Sequence, residues 1–407
     1  MRVNMVTSAP VQAACMNLKG DTVLQYRNHL SGSQVSDYPG GTLQCAGFLA
    51  NASDYSSQDT LYFGTSIYDF QSQITTCTMM LRPGGLLVPN WNVNANLYGY
   101  LTAGTVLIGI VPNSTSPGTF EAATGQVFFI PQSYIYWIQN TGTTNAFIVL
   151  FYNTHNEIFS ININMVFANT PESILNQGLI ESLKDMKSSN TSEIIILVQN
   201  LNSNIPALSN NQNYLYPLED SRRIEYTGAV AKWANMTTAF GGMQNWYPCA
   251  LSLESLVLNP CALLVPSITM NANEVGYVIS GHGKMGLYGC TNEEFDICAG
   301  DVFFIPAGAQ HYIRNTGCEN LVLIIAYSTN ERLQTFFLDD YIQAIPHSGN
   351  VPVIQNAVTI VDPAGPNNVL ATDNIEHIAS DSIMNRVPGI EMAILLIITT
   401  MYNFVSY

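Results

Sequence analysis

The side chains in this 407-residue chain best suited to chemistry include eight cysteines and six histidines, and most of their spacings argue against a metal cluster. No two cysteines form a C-x-x-C pair or any other zinc-like spacing. His29, His155, His282, His347 and His377 have no ligand spacing with one another and read as loop or surface residues. The even cysteine count points instead to disulfides. Cys290 and Cys298 flank Thr291 to Ile297, which reads as a hairpin connection able to bring the two together across neighbouring strands. Buried free thiols are the alternative. Asn51, Asn113, Asn190 and Asn235 each open an Asn-X-Ser/Thr sequon, and with the cysteines they point to a secreted or vacuolar glycoprotein. Met1 to Gly20 has no apolar core of signal-peptide length, so this expectation rests on the cysteines and sequons alone.

Composition narrows the partners. Thirteen Lys and Arg face twenty-nine Asp and Glu, a net charge of −16, with no basic run anywhere, which argues against nucleic acid or an anionic membrane surface. Hydrophobic residues make up 47% of the chain and charged residues only 10%, so it is a folded globular protein. Its apolar C-terminal run, Met392 to Ile398, is too short to span a bilayer.

The elements that must position any site come from an internal duplication. Gly125 to Gly142 (GQVFFIPQSYIYWIQNTG) and Gly300 to Gly317 (GDVFFIPAGAQHYIRNTG) share ten of eighteen positions. Each follows a second shared element, PNWNVNANLYGY from Pro89 and PSITMNANEVGY from Pro266. A period of roughly 175 residues is far longer than that of a solenoid, so the duplication means two domains. Runs such as Val127–Ile130, Phe147–Tyr152, Val302–Ile305 and Leu321–Ala326, bounded by Gly, Pro and Asn, read as short strands of a sandwich or barrel. The expected organisation is an N-terminal arm over 1–40, a first barrel over 41–165, a helical segment and linker over 166–213, a second barrel over 214–340 and an extension over 341–407. Thr170, Pro171 and Glu172 predict a helix start, with Ile174, Leu175, Leu179, Ile180 and Leu183 on one apolar face. Trp91, Tyr98, Tyr134, Tyr136 and Trp137 could line a pocket, but aromatic residues at strand alternation more often fill a core.

At the two repeated elements the chain resembles a bicupin. The Gly300 to Gly317 segment is similar to the second cupin motif of germins and oxalate decarboxylases, as is Phe167 to Leu179 to the helix after their barrel. Arg222 to Cys290 resembles the first cupin of legumin-type 11S storage globulins. The resemblance implies an all-β fold, two double-stranded β-helix (jelly-roll) barrels in tandem with short helices after each. It also implies a homo-oligomer, a trimer or hexamer, in which the Ile174, Leu175 and Leu179 face is covered.

In metal-bearing cupins, three His and one Glu hold Mn or another divalent metal. Carried over to the first barrel, those positions fall on Asn90, Asn92, Leu97 and Tyr136, so every ligand is missing. In the second barrel they fall on Ser267, Thr269, Glu274 and His311, and two remain. Glu274 and His311 could hold a weak metal or work as an acid/base pair. The favoured reading is a charge-assisted hydrogen bond between them across the barrel, left over from an ancestral site. The expectation is therefore no cofactor, with a divalent metal in the second barrel as the alternative.

This predicts a non-catalytic bicupin with a structural or nutrient-reservoir role like that of storage globulins. Two alternatives stay open: a metal-dependent enzyme of the oxalate decarboxylase or oxidase kind using only the second barrel, and a cupin that binds a small organic ligand. The storage reading meets one departure. The legumin-like half is the second here, and no Asn precedes Gly to supply the legumin processing site.

Overall fold

The computed structural model describes residues 26–30, 35–46, 73–111, 117–154, 158–171, 195–198, 206–208, 211–235, 237–247, 250–288 and 292–337. These belong to one compact unit, Met1–Leu370, and the second unit, Ala371–Tyr407, lies outside them. The described elements are almost all antiparallel strands, which form two sheets for each copy of the repeat.

In the first barrel one sheet runs, in spatial order, Leu215–Tyr216, Val127–Ile130, Leu97–Ala103, Ala146–Tyr152, Thr75–Leu81, Gly41–Ala46 and Val35–Tyr38. Facing it are Ser160–Asn162, Gly85–Asn92, Ile135–Asn140, Thr105–Val111 and Gly118–Ala123, with Ile196–Val198 also paired to Gly85–Asn92. The second barrel repeats this plan. One sheet runs Arg27–His29, Asp301–Ile305, Glu274–Ser280, Leu321–Tyr327, Ser252–Leu258, Ala229–Ala234 and Arg223–Tyr226. The other runs Asn292–Cys298, His282–Tyr288, Gln310–Asn315, Leu263–Thr269 and Thr335–Phe337.

The repeated residues are scaffold. Gly125 and Gly300 turn the chain at φ +85° and +94°, a left-handed conformation glycine adopts without strain. The Asn of each NAN triplet ties the two repeated elements together: Asn96 Oδ1 accepts the Gln132 N–H at 2.8 Å, and Asn273 Oδ1 accepts the Ala307 N–H at 2.8 Å. The Asn of each NTG also closes its own turn, since Asn140 and Asn315 accept the N–H of Gly142 and Gly317, both at 2.8 Å. Both Asn side chains then donate to carbonyls of the neighbouring strand end, Leu81 and Leu258.

A glycine facing an aromatic ring recurs in both barrels. A Cβ on Gly99 would sit 2.1 Å from the Phe128 ring, and one on Gly276 would sit 2.0 Å from the Phe303 ring. Both rings are fully buried and cannot swing clear. Gly276→Ala is expected to cost about 1–3 kcal/mol through overpacking, read as a lower urea midpoint. An unchanged midpoint would show that the ring gives way.

Several expectations on organisation meet a more entangled chain. Tyr26 is buried, and Arg27–His29 extends the second barrel's sheet by pairing with Asp301–Phe303, while Val35–Tyr38 joins the first barrel. Leu215–Tyr216 also pairs with the first barrel, at Val127 and Phe128. Asn162 caps a seven-residue helix, Ile163–Asn169, by accepting the Met165 N–H, and Thr170 ends it. The helix predicted beyond Pro171, with its apolar face, lies outside the described residues.

The two barrels share a hydrophobic core. Tyr98 packs on Phe129 and Phe240, and its hydroxyl accepts the Leu251 N–H at 3.1 Å. Glu219 bridges the two repeats, accepting from Tyr100 at 3.1 Å and from Lys232 at 2.8 Å.

Candidate functional site

The same scaffold carries different chemistry in the two barrels. In the first, Tyr136 is in register with Asn90 and bonded to Asn92, Leu97 stands opposite Tyr152, and the polar groups all find partners within the barrel. Asn90 Nδ2 donates to the Val88 carbonyl at 2.8 Å, and Ser160 donates to Asn90 Oδ1 at 3.3 Å. Asn92 Nδ2 donates to the Tyr136 hydroxyl at 3.3 Å, and the Tyr152 hydroxyl is bonded to Tyr136 as well. Burial raises the pKa of both phenols, so they stay neutral and act only as hydrogen-bonding groups. Of the pocket candidates, Tyr98, Tyr134, Tyr136 and Trp137 are all buried.

In the second barrel, strand register places Ser267 directly opposite His311 and Glu274 directly opposite Tyr327. His311 Nδ1 lies 3.2 Å from the Ala309 carbonyl, so in the neutral ring Nδ1 carries the proton and Nε2 presents its lone pair inward. Facing that nitrogen are Ser267 Oγ at 3.5 Å and Glu274 Oε2 at 3.7 Å. The second distance is too long for a hydrogen bond. The expected direct Glu274–His311 hydrogen bond is therefore absent, because the two side chains approach from opposite sheets without closing the gap. Thr269 Oγ1 turns instead to Thr335 Oγ1 at 3.2 Å. All four residues are buried, and Glu274 Oε1 has no hydrogen-bond partner.

The structure adds a third ionisable group that the repeated motifs do not contain. Glu254 is buried on Ser252–Leu258 and accepts the Tyr327 hydroxyl at 2.6 Å. Removal from water, reinforced by the nearby Glu274, pushes its carboxyl up to about 8, against the lowering effect of the Tyr327 bond. Glu254 in turn helps raise Tyr327, whose main cause is burial, and Tyr226, which is pushed up to about 12 chiefly by burial. Its counterpart in the first barrel is Cys77, which is disulfide-bonded to Cys45. A lone acid in an otherwise uncharged strand, SLESLVL, is the sequence signal that could have found it.

The remaining candidates scatter. Cys298 is disulfide-bonded, while Cys290 lies outside the described residues. Cys261 and Cys318 are free and exposed. Asn235 lies in a turn where its Oδ1 accepts the Thr237 N–H at 3.0 Å, and Asn51, Asn113 and Asn190 lie outside the described residues. His29 is a correction to the loop reading: it pairs with the buried Asp301, joining the N-terminal strand to the second barrel. His282 opens the strand His282–Tyr288, and His155, His347 and His377 lie outside the described residues.

The donor set does not fit the ion that a cupin with three imidazoles and a carboxylate holds. One imidazole and one carboxyl remain, Ser267 and Thr269 supply only neutral hydroxyls, and Tyr327 already occupies one Glu254 oxygen. Among the described residues no three His, Cys, Asp or Glu side chains converge closely enough to hold a metal.

Two antiparallel jelly-roll barrels in tandem, with an interior site at corresponding positions of each, define a bicupin. The cupin family model matches residues 66–179 and again 234–350, and the chain belongs to the cupin family. An oxalate decarboxylase of Arthroderma benhamiae is 24% identical over 314 residues, covering 69% of this chain and 72% of that protein. Legumin B of Pisum sativum is 29% identical over 99 residues, 24% of this chain and 29% of its own. A solved structure of Bacillus subtilis oxalate decarboxylase at pH 4.6 superposes with a TM-score of 0.65 at 17% identity, covering 85% of each chain. Another, whose subject is the Mn(II) centres of that enzyme, gives 0.65 at 18% identity, with 83% and 85% covered. At these identities the structural likeness is one of fold.

Proposed function

We propose that this chain is a single-site bicupin whose second barrel binds a small polar organic molecule, while the first barrel is structural. One observation carries the reading. Glu254, Glu274 and His311 are buried in the second barrel, whereas Cys77, Leu97 and Tyr136 stand at the same places in the first. Burying ionisable groups costs several kcal/mol unless partners are present, about 1–3 kcal/mol even for one unsatisfied polar atom. Glu274 Oε1 is such an atom. A group of buried side chains like this gains from a ligand that completes its hydrogen bonds, and His311 Nε2 and the two carboxyl groups give it the means to exchange a proton with that ligand.

The second reading is a metal-dependent enzyme acting on oxalate. It is favoured by the names of the relatives and by the survival of Glu274 and His311 at two of the four ligand positions. A bound divalent ion would supply the positive charge that draws a dicarboxylate into an acidic barrel. The storage reading has less behind it, since the legumin match covers only 24% of this chain.

Elemental analysis of protein purified without added ions or chelators, followed by oxalate assays with and without Mn(II), separates the two. Substoichiometric metal and no oxalate turnover are expected. Close to one ion per chain, lost in His311→Ala together with turnover of oxalate, would replace the binding reading with the enzyme.

A further inference from the structure

Three residues lie side by side across the second barrel's seven-stranded sheet. Ser252 is in register with Tyr327, and Tyr327 with Glu274, so all three side chains share one face. The outer two carry atoms with no partner: Ser252 Oγ and Glu274 Oε1 are both fully buried and unsatisfied. Between them the Tyr327 hydroxyl is committed to Glu254.

The first barrel provides an internal comparison. Its corresponding row is Thr75, Tyr152 and Leu97. Thr75 Oγ1 donates to the Thr154 carbonyl at 2.7 Å, Tyr152 is bonded to Tyr136, and Leu97 needs nothing. The same backbone can therefore close this row completely. In the second barrel it is left open at both ends.

Resting on the second barrel as the working site, we propose that its ligand is a small uncharged hydroxyl compound, a diol or polyol, held by Ser252 and Glu274 on either side of Tyr327. Glu274 Oε1 requires a donor, Ser252 can give or take, and a hydroxyl group does both. The charge of the ligand follows from its surroundings. Glu254 and Glu274 face the site, and no Lys or Arg is among the buried residues described, so an anion meets two carboxyl groups and no fixed cation. A bare cation loses its hydration in a site this enclosed. A neutral donor suffers neither penalty.

The test is ligand-observed NMR and calorimetry on the full chain, with glycerol, xylitol, ethanolammonium, and oxalate with and without Mn(II) as probes. At least one polyol is expected to bind, and to bind about tenfold more weakly in Ser252→Ala and in Glu274→Gln, each of which removes one hydrogen bond. Ser252→Ala should keep a thermal midpoint at or above the parent value, because it deletes an unsatisfied hydroxyl. Binding of no probe would mean that water alone fills the row, and would overturn the proposal. Ethanolammonium or metal-dependent oxalate binding lost in Ser252→Ala, with no polyol binding, would overturn the ligand assignment while leaving the second barrel as the site. Polyol affinity unchanged in both variants would overturn the ligand assignment and the single-site reading together.

Discussion

Raising the pH from 5 to 8.5 is expected to destabilise the folded chain, and Glu254→Gln to remove most of that loss. The sign follows from where the proton resides. The folded Glu254 carboxyl titrates at about 8 and the unfolded one near the ordinary carboxylate value of 4.5, so between these pH values the native state holds a proton that the unfolded state has released. Stability then falls as pH rises, by up to about 1.4 kcal/mol per pH unit, and the fall ends above the folded value. Over the whole window the loss is on the order of 4 kcal/mol. Below the unfolded value the contribution is fully present. Glutamine keeps an acceptor for Tyr327 but cannot ionise. Urea midpoints at pH 5, 6.5 and 8.5 should thus diverge, with the variant flatter and more stable than the parent at the alkaline end. Parallel pH profiles would show that Glu254 reaches water.

Replacing Cys45 and Cys77 together by Ala is expected to destabilise the chain by about 3–4 kcal/mol. The bond joins residues 32 apart on directly paired strands, so its main effect is to shorten the unfolded chain's reach. It also fills, inside the first barrel, the place that Glu254 occupies in the second. There the corresponding cross-strand neighbour is Trp233, whose ring packs on Tyr327 at 5.3 Å between centroids. One barrel thus uses a covalent link where the other keeps an acid under an aromatic lid. Denaturant unfolding of the double variant under oxidising conditions measures the effect without touching the disulfide at Cys298. An unchanged midpoint would mean that the two strands gain nothing from the link.

The duplication and the tandem barrels were legible in the amino-acid order because the positions that repeat are those that backbone geometry dictates. Gly125 and Gly300 must turn left-handed, and Asn96, Asn140, Asn273 and Asn315 accept backbone N–H groups at the turns. Glu274 and His311 could be located because they sit inside those same segments. What the sequence left open were the contacts between strands far apart in the chain. Glu254 lies outside both repeated elements, and its environment exists only once Ser252–Leu258 and Glu274–Ser280 flank Leu321–Tyr327 on either side. The Cys45–Cys77 bond and the seating of Arg27–His29 on Asp301–Phe303 are likewise matters of register between distant segments. Local spacing determines which residues turn, cap and alternate. Which buried polar atom goes without a partner depends on what the opposite strand brings, and in the second barrel only the tertiary structure decided that.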